Sequence, residues 1–168
     1  MLIWFVVMSM AGVVLVFRDP LLDHRLVALG SLLPNAVDLV VRRGRVGPAH
    51  SLVAVVAFLA VVMAATVGRR SMRRQLLALP IGAMCALALD GAFTRTEVFA
   101  WPVTGWTLPG RLFVLERPLT LNLAMELAGL GTGLLLVRRC GLGRADRRRG
   151  FLRRGALELL PAGTRLRR

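Results

Sequence analysis

Residues 51–68 read SLVAVVAFLAVVMAATVG. No charged side chain interrupts this run, and its length approaches the roughly 20 helical residues that cross the hydrocarbon core of a bilayer. Hydrophobic residues make up 56% of the 168-residue chain, and the mean hydropathy is +0.65. Since soluble domains contain about 45–50% apolar residues, the composition excludes an ordinary soluble globule and favours a membrane protein.

Four further segments have the length and apolar character of membrane spans: 1–17, 26–41, 75–93 and 119–137. Segment 26–41 differs from the others because it carries Pro34, Asn35 and Asp38. Polar groups at that depth need partners from protein or water, so the segment is predicted to be a broken span or a re-entrant segment. The sequence therefore predicts an all-α, polytopic membrane bundle of about five transmembrane helices in residues 1–137.

Positive charge is distributed unevenly along the chain. All 23 basic residues are arginines, and the formal net charge is +14. With five spans, 17 arginines fall on the side that includes the C-terminal tail, residues 138–168, and six fall on the other side. Because arginine is enriched in cytoplasmic loops, we expect an inner or plasma membrane protein with its N-terminus outside and its tail in the cytoplasm.

The tail carries eleven arginines against two carboxylates, and apolar residues alternate with them. This pattern is typical of a basic amphipathic helix on a membrane surface, so anionic lipid headgroups are its predicted partner. Arginine clusters also bind nucleic-acid phosphates. The adjoining span holds the tail at the membrane, however, and we therefore expect no nucleic acid to bind.

Two further features concern packing. Gly129 and Gly133 form a Gly-x-x-x-Gly pattern in the last span, and small residues at this spacing allow helices to approach closely. They are expected to contact either a neighbouring helix of the same chain or a second copy in a homodimer. Segment 94–118 mixes tryptophans with prolines and glycines, and is predicted to be either a lid over a polar pocket or an ordinary amphipathic loop.

Four ionisable residues are predicted to lie in the outer half of the bilayer: Asp38, His50, Asp90 and Glu126. A charged residue within a span costs about 2.5–3.5 kcal/mol on the insertion scale, so each of them needs a partner or a function. Carboxylates and imidazole are ligands for zinc and for hard cations. The alternative is structural, with the same groups acting as helix caps or hydrogen-bonding between spans.

Three short elements occur in the order found in a known family. Residues 30–38 read GSLLPNAVD, 47–51 read GPAHS, and 87–94 read LALDGAFT, followed by Trp101-Pro102. They resemble Gly-x-Leu-Leu-Pro-Asp-x-x-Asp, the end of Arg-Gly-x-x-His-Ser, and His-x-x-x-Asp-x-x-Thr with Trp-Pro in the YdjM-like proteins. That family is described as LexA-binding, associated with the inner membrane and hydrolytic in a metal-dependent way. The similarity covers roughly residues 26–103.

The resemblance implies a divalent metal ion, with zinc the expected one. Asp38, His50 and Asp90 match the positions of its ligands, and Asn35 supplies a further oxygen donor. Such a metal would activate water to attack an ester or phosphoester near the outer membrane face. We expect Glu126 to serve as a catalytic base or as an outer-shell partner.

Two of the departures from the family pattern concern its metal ligands. Asn35 replaces an aspartate, and Ala86 replaces a histidine one helical turn before Asp90. The resemblance therefore implies either a hydrolase with weakened activity or a member that keeps the fold without catalysis. The alternative function is a non-enzymatic membrane protein that binds lipid or a partner through its bundle and tail.

Overall fold

The computed structural model describes residues 1–19 and 21–159. Within these ranges the chain is helical apart from one isolated antiparallel bridge, which confirms the predicted all-α class. The α-helices are α1 Leu2–Phe17, α2 His24–Val41, α3 Leu52–Ala65, α4 Arg70–Leu76, α5 Ala78–Asp90, α6 Thr96–Phe99, α7 Phe113–Glu116, α8 Leu119–Arg139 and α9 Ala145–Arg154.

Three helices are long and apolar enough to cross a membrane: His24–Val41, Arg70–Asp90 and Leu119–Arg139. The second of these combines α4 and α5, which join through Leu77 in helical conformation. Two shorter apolar helices, Leu2–Phe17 and Leu52–Ala65, accompany them. All five segments predicted as spans are therefore helical, and three of them have the length of a full span.

The predicted break in segment 26–41 is absent from the structure, because α2 is continuous through Pro34. Proline lacks an N–H, so this position loses one hydrogen bond, and the remaining turns suffice to hold the helix. The helix that is interrupted is instead the combined helix Arg70–Asp90, between α4 and α5. There Pro80 cannot donate to the carbonyl of Leu76, the residue at which α4 ends.

Helices α2 and α5 pack with their backbones in close contact. A Cβ atom on Gly30 would lie 2.1 Å from the carbonyl oxygen of Leu79, and one on Gly82 would lie 2.2 Å from that of Val27. These distances exclude any side chain at either glycine. The contact places side by side the two helices that carry three of the predicted site residues.

One end of the bundle, the tail end, gathers residues 18–19, 21–25, 66–77 and 139–159. Asp19 forms an ion pair with Arg74 at 2.7 Å, joining the connection after α1 to α4. The Arg25 guanidinium donates to the carbonyl of Leu152 in α9, also at 2.7 Å. These contacts bring the end of α1, the starts of α2 and α4, and helix α9 to one end of the bundle.

The opposite end, the site end, gathers residues 41–51 and 90–118. The Val46 N–H donates to the Gly110 carbonyl at 3.3 Å, and the Leu112 N–H donates to that of Gly44 at 3.0 Å. The connection after α2 is thereby joined to the long segment that precedes α8. Both enclose the ends of α2 and α5.

Helix α8 packs against α1 through its glycines. A Cβ atom on Gly129 would lie 2.9 Å from the Cα of Trp4, and one on Gly133 would lie 3.5 Å from a methyl group of Val7. The Gly-x-x-x-Gly pattern therefore contacts a helix of the same chain. A homodimer through these two glycines would have to displace α1.

The described part of the tail packs on the bundle. The His24 main-chain N–H and the His24 Nδ1 atom each lie 3.0 Å from the Gly155 carbonyl oxygen. Leu157 is buried in a cluster with Met10, Val14 and Cys140. Helix α9 is present where the sequence predicts an interfacial helix, and residues 160–168 lie outside the described residues.

Candidate functional site

The structure brings together the four residues predicted as metal ligands, at the site end. His50 Nδ1 lies 2.7 Å from Asp38 Oδ2, and His50 Nε2 lies 3.4 Å from Asp90 Oδ2. The Asn35 amide donates to Asp90 Oδ2 at 3.1 Å. Asp38, His50 and Asp90 are each at most 1% exposed, so the cluster is buried.

Three residues of the sequence GPAHS at 47–51 have structural roles that explain why they occur there. The Gly47 N–H donates to Asp38 Oδ2 at 2.6 Å, and a Cβ atom on Gly47 would lie only 2.3 Å from Asp38 Oδ1. His50 ends the 3₁₀ turn Pro48–His50, which turns its ring into the cluster. The Ser51 hydroxyl accepts from the Ala54 N–H and caps α3.

Asp38 orients the imidazole. A carboxylate accepts hydrogen bonds, so the His50 Nδ1 atom carries the proton and Nε2 faces Asp90. Metal-binding histidines are commonly held in this way by a carboxylate on the second ring nitrogen. In this geometry Asp38 lies on the opposite side of the imidazole from Asp90, and its carboxylate orients the ring.

Two buried atoms of the cluster, His50 Nε2 and Asn35 Oδ1, have no hydrogen-bond partner among the residues that the structure describes. The 3.4 Å between His50 Nε2 and Asp90 Oδ2 exceeds the usual hydrogen-bond length of about 2.7–3.2 Å. An unpartnered buried polar group costs about 1–3 kcal/mol. Such a cost is removed when a ligand occupies the space between the groups.

Arg117 belongs to the site, although the sequence reasoning did not identify it. Its Nη1 atom lies 3.3 Å from Asp90 Oδ1, and its Nη2 atom donates to the main-chain oxygen of Asp90. The guanidinium therefore neutralises this buried carboxylate on the oxygen that does not face His50. Its place just before α8, at the depth where α5 ends, is the signal that could have identified it.

Segment 94–118 covers the cluster. The Phe113 ring lies 5.9 Å from that of His50, and the Arg95 guanidinium lies 4.4 Å from the centre of the Phe113 ring. Arg95 also pairs with Glu116, and this contact lowers the pKa of the Glu116 carboxyl below its usual value. Glu116 also accepts a hydrogen bond from the Arg111 N–H at 2.6 Å. Both contacts of Glu116 are therefore made within segment 94–118 and stabilise its conformation.

Glu126 does not join the cluster. Its carboxylate lies 2.9 Å from the Met1 amine and accepts the Trp4 N–H at 3.0 Å. Helix α8 packs mainly against α1, which in turn contacts α2 and α5, so the predicted catalytic base is directed to the start of α1.

Ala86 is buried in α5, one turn before Asp90.

The donors near the cluster include two side-chain types that bind zinc in proteins. Within residues 1–19 and 21–159, no group of three or more His, Cys, Asp or Glu side chains is arranged to hold a metal ion. The groups that face one another are the His50 imidazole, the Asp90 carboxylate and the NH2 group of Asn35, whose Oδ1 atom is the one that could bind a metal. Imidazole and carboxylate are common zinc ligands, while a neutral amide adds little affinity.

Comparison of the chain with models of protein families, with curated proteins and with solved structures finds no match.

Proposed function

We propose that the chain is a five-span membrane protein that binds a divalent metal ion at the His50–Asp90–Asn35 cluster, as a weakened YdjM-like hydrolase. The observation that carries this proposal is the buried His50 Nε2 atom, which is oriented by Asp38 and has no hydrogen-bond partner within residues 1–19 and 21–159. An imidazole whose Nδ1 proton is held by a carboxylate in this way presents its Nε2 atom to a metal ion, as metal-binding histidines commonly do.

His50, Asp90 and Asn35 would hold the ion, which supplies Lewis-acid chemistry for hydrolysis of an ester or phosphoester. Water would give its hydroxyl group to the acyl carbon or phosphorus, and the alcohol would leave with the other proton. Asp38 keeps the proton on Nδ1 of His50, and the Arg117 guanidinium pairs with Asp90 on its other carboxylate oxygen. Segment 94–118 limits the access of bulk water.

The proposed orientation places the site end outside. Three helices with the length of a span and two shorter apolar helices support five crossings. The contacts at the tail end join the segments to which the sequence assigns 17 of the 23 arginines. A cytoplasmic tail end follows from the preference of arginine for that side.

One observation favours the alternative, a non-enzymatic membrane protein. The Arg117 guanidinium already neutralises Asp90, so the buried charge has a partner without any metal. In that case the cluster would stabilise the bundle, and α9, with exposed arginines at its last turn, would bind anionic lipid.

Zinc affinity after restoration of the family pattern distinguishes the two functions. The double variant Asn35→Asp, Ala86→His adds one charged and one imidazole ligand, so we expect it to bind zinc at least about tenfold more tightly than the wild type. Asn35→Asp alone, which preserves the side-chain shape, should give part of this gain. Competition with a chromophoric chelator in detergent measures both affinities.

Ala88→His is the matched control, because Ala88 lies on the same helix but is exposed. It should bind zinc as the wild type does. Equal affinities of the wild type, Asn35→Asp and the double variant would contradict the proposed metal site and support the non-enzymatic function.

A further inference from the structure

An apolar groove lies between α1 and α2 and leads to the site. Its volume is about 330 Å³, near the lower limit of the roughly 300–1,000 Å³ typical of ligand pockets. Leu2 and Phe5 line it from α1, Ala36 and Leu39 line it from α2, and Leu115 closes it from the covering segment. The groove walls are therefore hydrocarbon.

Asn35 connects this groove to the cluster. It is the polar member of the groove lining, and its amide donates to Asp90 Oδ2 at 3.1 Å. Its Oδ1 atom is buried without a partner among the described residues. A molecule in the groove would thus have one end beside the cluster.

The outer edges of the groove are exposed apolar side chains. Leu2 is 62% exposed, Leu39 57% and Leu115 52%. In a membrane-spanning bundle, such side chains contact lipid chains. The groove therefore opens sideways to the hydrocarbon of the bilayer.

A cation lies where the groove meets the cluster. The Arg117 Nη1 atom lies 3.9 Å from the Met1 sulfur, in the groove wall, and 3.3 Å from Asp90 Oδ1. The Arg117 side chain is 18% exposed, so part of it remains accessible. A guanidinium has five donors, matches the geometry of a phosphate and carries the complementary charge.

We propose that the ligand of this site is a lipid with a phosphate-ester headgroup, which enters from the bilayer. Its acyl chain would occupy the α1–α2 groove and its phosphate would contact Arg117 beside the cluster. This inference rests on the proposed function, since it names the substrate class of the same site. The apolar walls match the acyl chain of such a lipid, and the polar end of the groove matches its headgroup. The cation at their junction matches its phosphate.

Dodecyl phosphate is the probe, and native mass spectrometry of the detergent-purified chain measures its binding. We expect Ala36→Trp, which fills the groove, to lower its affinity at least tenfold, and Leu2→Trp on the facing wall to do the same. Ala54→Trp is the matched control, because Ala54 lines a separate groove between α2 and α3. It should bind the probe as the wild type does.

Equal binding of the probe by the wild type and both groove variants would overturn the inference. So would equal binding of dodecyl trimethylammonium, which would remove the role of Arg117, or of inorganic phosphate, which would indicate a free anion as the ligand. Zinc affinity, measured on the same variants, should not change. Zinc binding without sensitivity to the groove substitutions would reject the lipid alone, whereas groove-dependent lipid binding without zinc would reject the metal site.

Discussion

The pairing of His50 with Asp38 determines what the site can bind. Both side chains are buried, and the 2.7 Å hydrogen bond between them fixes which ring nitrogen carries the proton. Gly47 adds a second hydrogen bond to the same carboxylate oxygen, so Asp38 cannot rotate without losing both. The orientation of His50 Nε2 towards Asp90 is therefore a property of three residues acting together.

Asp38→Asn should weaken zinc binding while the fold is kept. The amide has the shape of the carboxylate but loses its charge, and outer-shell substitutions of this kind typically cost about 10–100-fold in metal affinity. The chelator titration in detergent measures the change. Asp146→Asn, on the exposed surface of α9, is the control and should bind as the wild type does. Unchanged affinity in Asp38→Asn would show that the carboxylate does not position the imidazole.

The motif elements predicted Asn35, Asp38, His50 and Asp90 as one group, and the structure places them together. The sequence could not show that Asp38 lies behind His50, because motif spacing does not determine which ring nitrogen faces which carboxylate. The sequence also could not exclude Glu126 from the cluster. Glu126 was assigned to it by depth along its helix, and depth does not reveal that α1 lies between α8 and the helices that carry the site.

At the scale of helices, the site depends on how closely α2 approaches α5. Gly30 and Gly82 allow the two backbones to touch. This contact brings Asn35 and Asp38 on α2 close to Asp90 on α5. The helices themselves could be predicted from apolar runs. Their neighbours could not, because a run of leucine, valine and alanine has no preferred partner. Pro34 suggested a break that the tertiary packing of α2 overrides.

Gly30→Ala should destabilise the protein. Its Cβ atom would lie 2.1 Å from a backbone oxygen, which can move only if the helices separate. Overpacking of this kind costs about 1–3 kcal/mol or more. We therefore expect a lower melting temperature in detergent and weaker zinc binding.

Gly131→Ala is the control for this substitution, since nothing lies within 4 Å of the Cβ position on α8. Alanine is favoured over glycine in a helix by up to about 1 kcal/mol, so this variant should melt no lower than the wild type. Equal melting temperatures for Gly30→Ala and Gly131→Ala would contradict the close approach of α2 and α5.

At the scale of the whole molecule, the two ends of the bundle differ in chemistry. The tail end carries ion pairs of arginine and the basic helix α9, whereas the site end encloses the buried cluster beneath segment 94–118. Charge counting along the sequence already separated these two sets of segments. The docking of residues 155–157 against α1 and α2 was not predictable, because the composition of the tail indicated only a surface helix.

Reporter fusions test the orientation. Green fluorescent protein fused to the C-terminus should fluoresce, because the tail end is expected in the cytoplasm. Alkaline phosphatase inserted after Gly105, in the segment that covers the site, should be active outside. A dark C-terminal fusion together with an inactive insertion would reverse the proposed orientation.

The zinc content of the purified protein tests the central claim most directly. Elemental analysis after equilibrium dialysis against zinc, with the free ion in the dialysate subtracted, should give about one zinc per chain for the wild type. His50→Gln and Asp90→Asn should each lose it, while Cys85→Ala and Cys140→Ala should retain it. A wild type without zinc, or a zinc content that persists in His50→Gln and falls with the cysteine variants, would contradict a metal site at the His50–Asp90–Asn35 cluster.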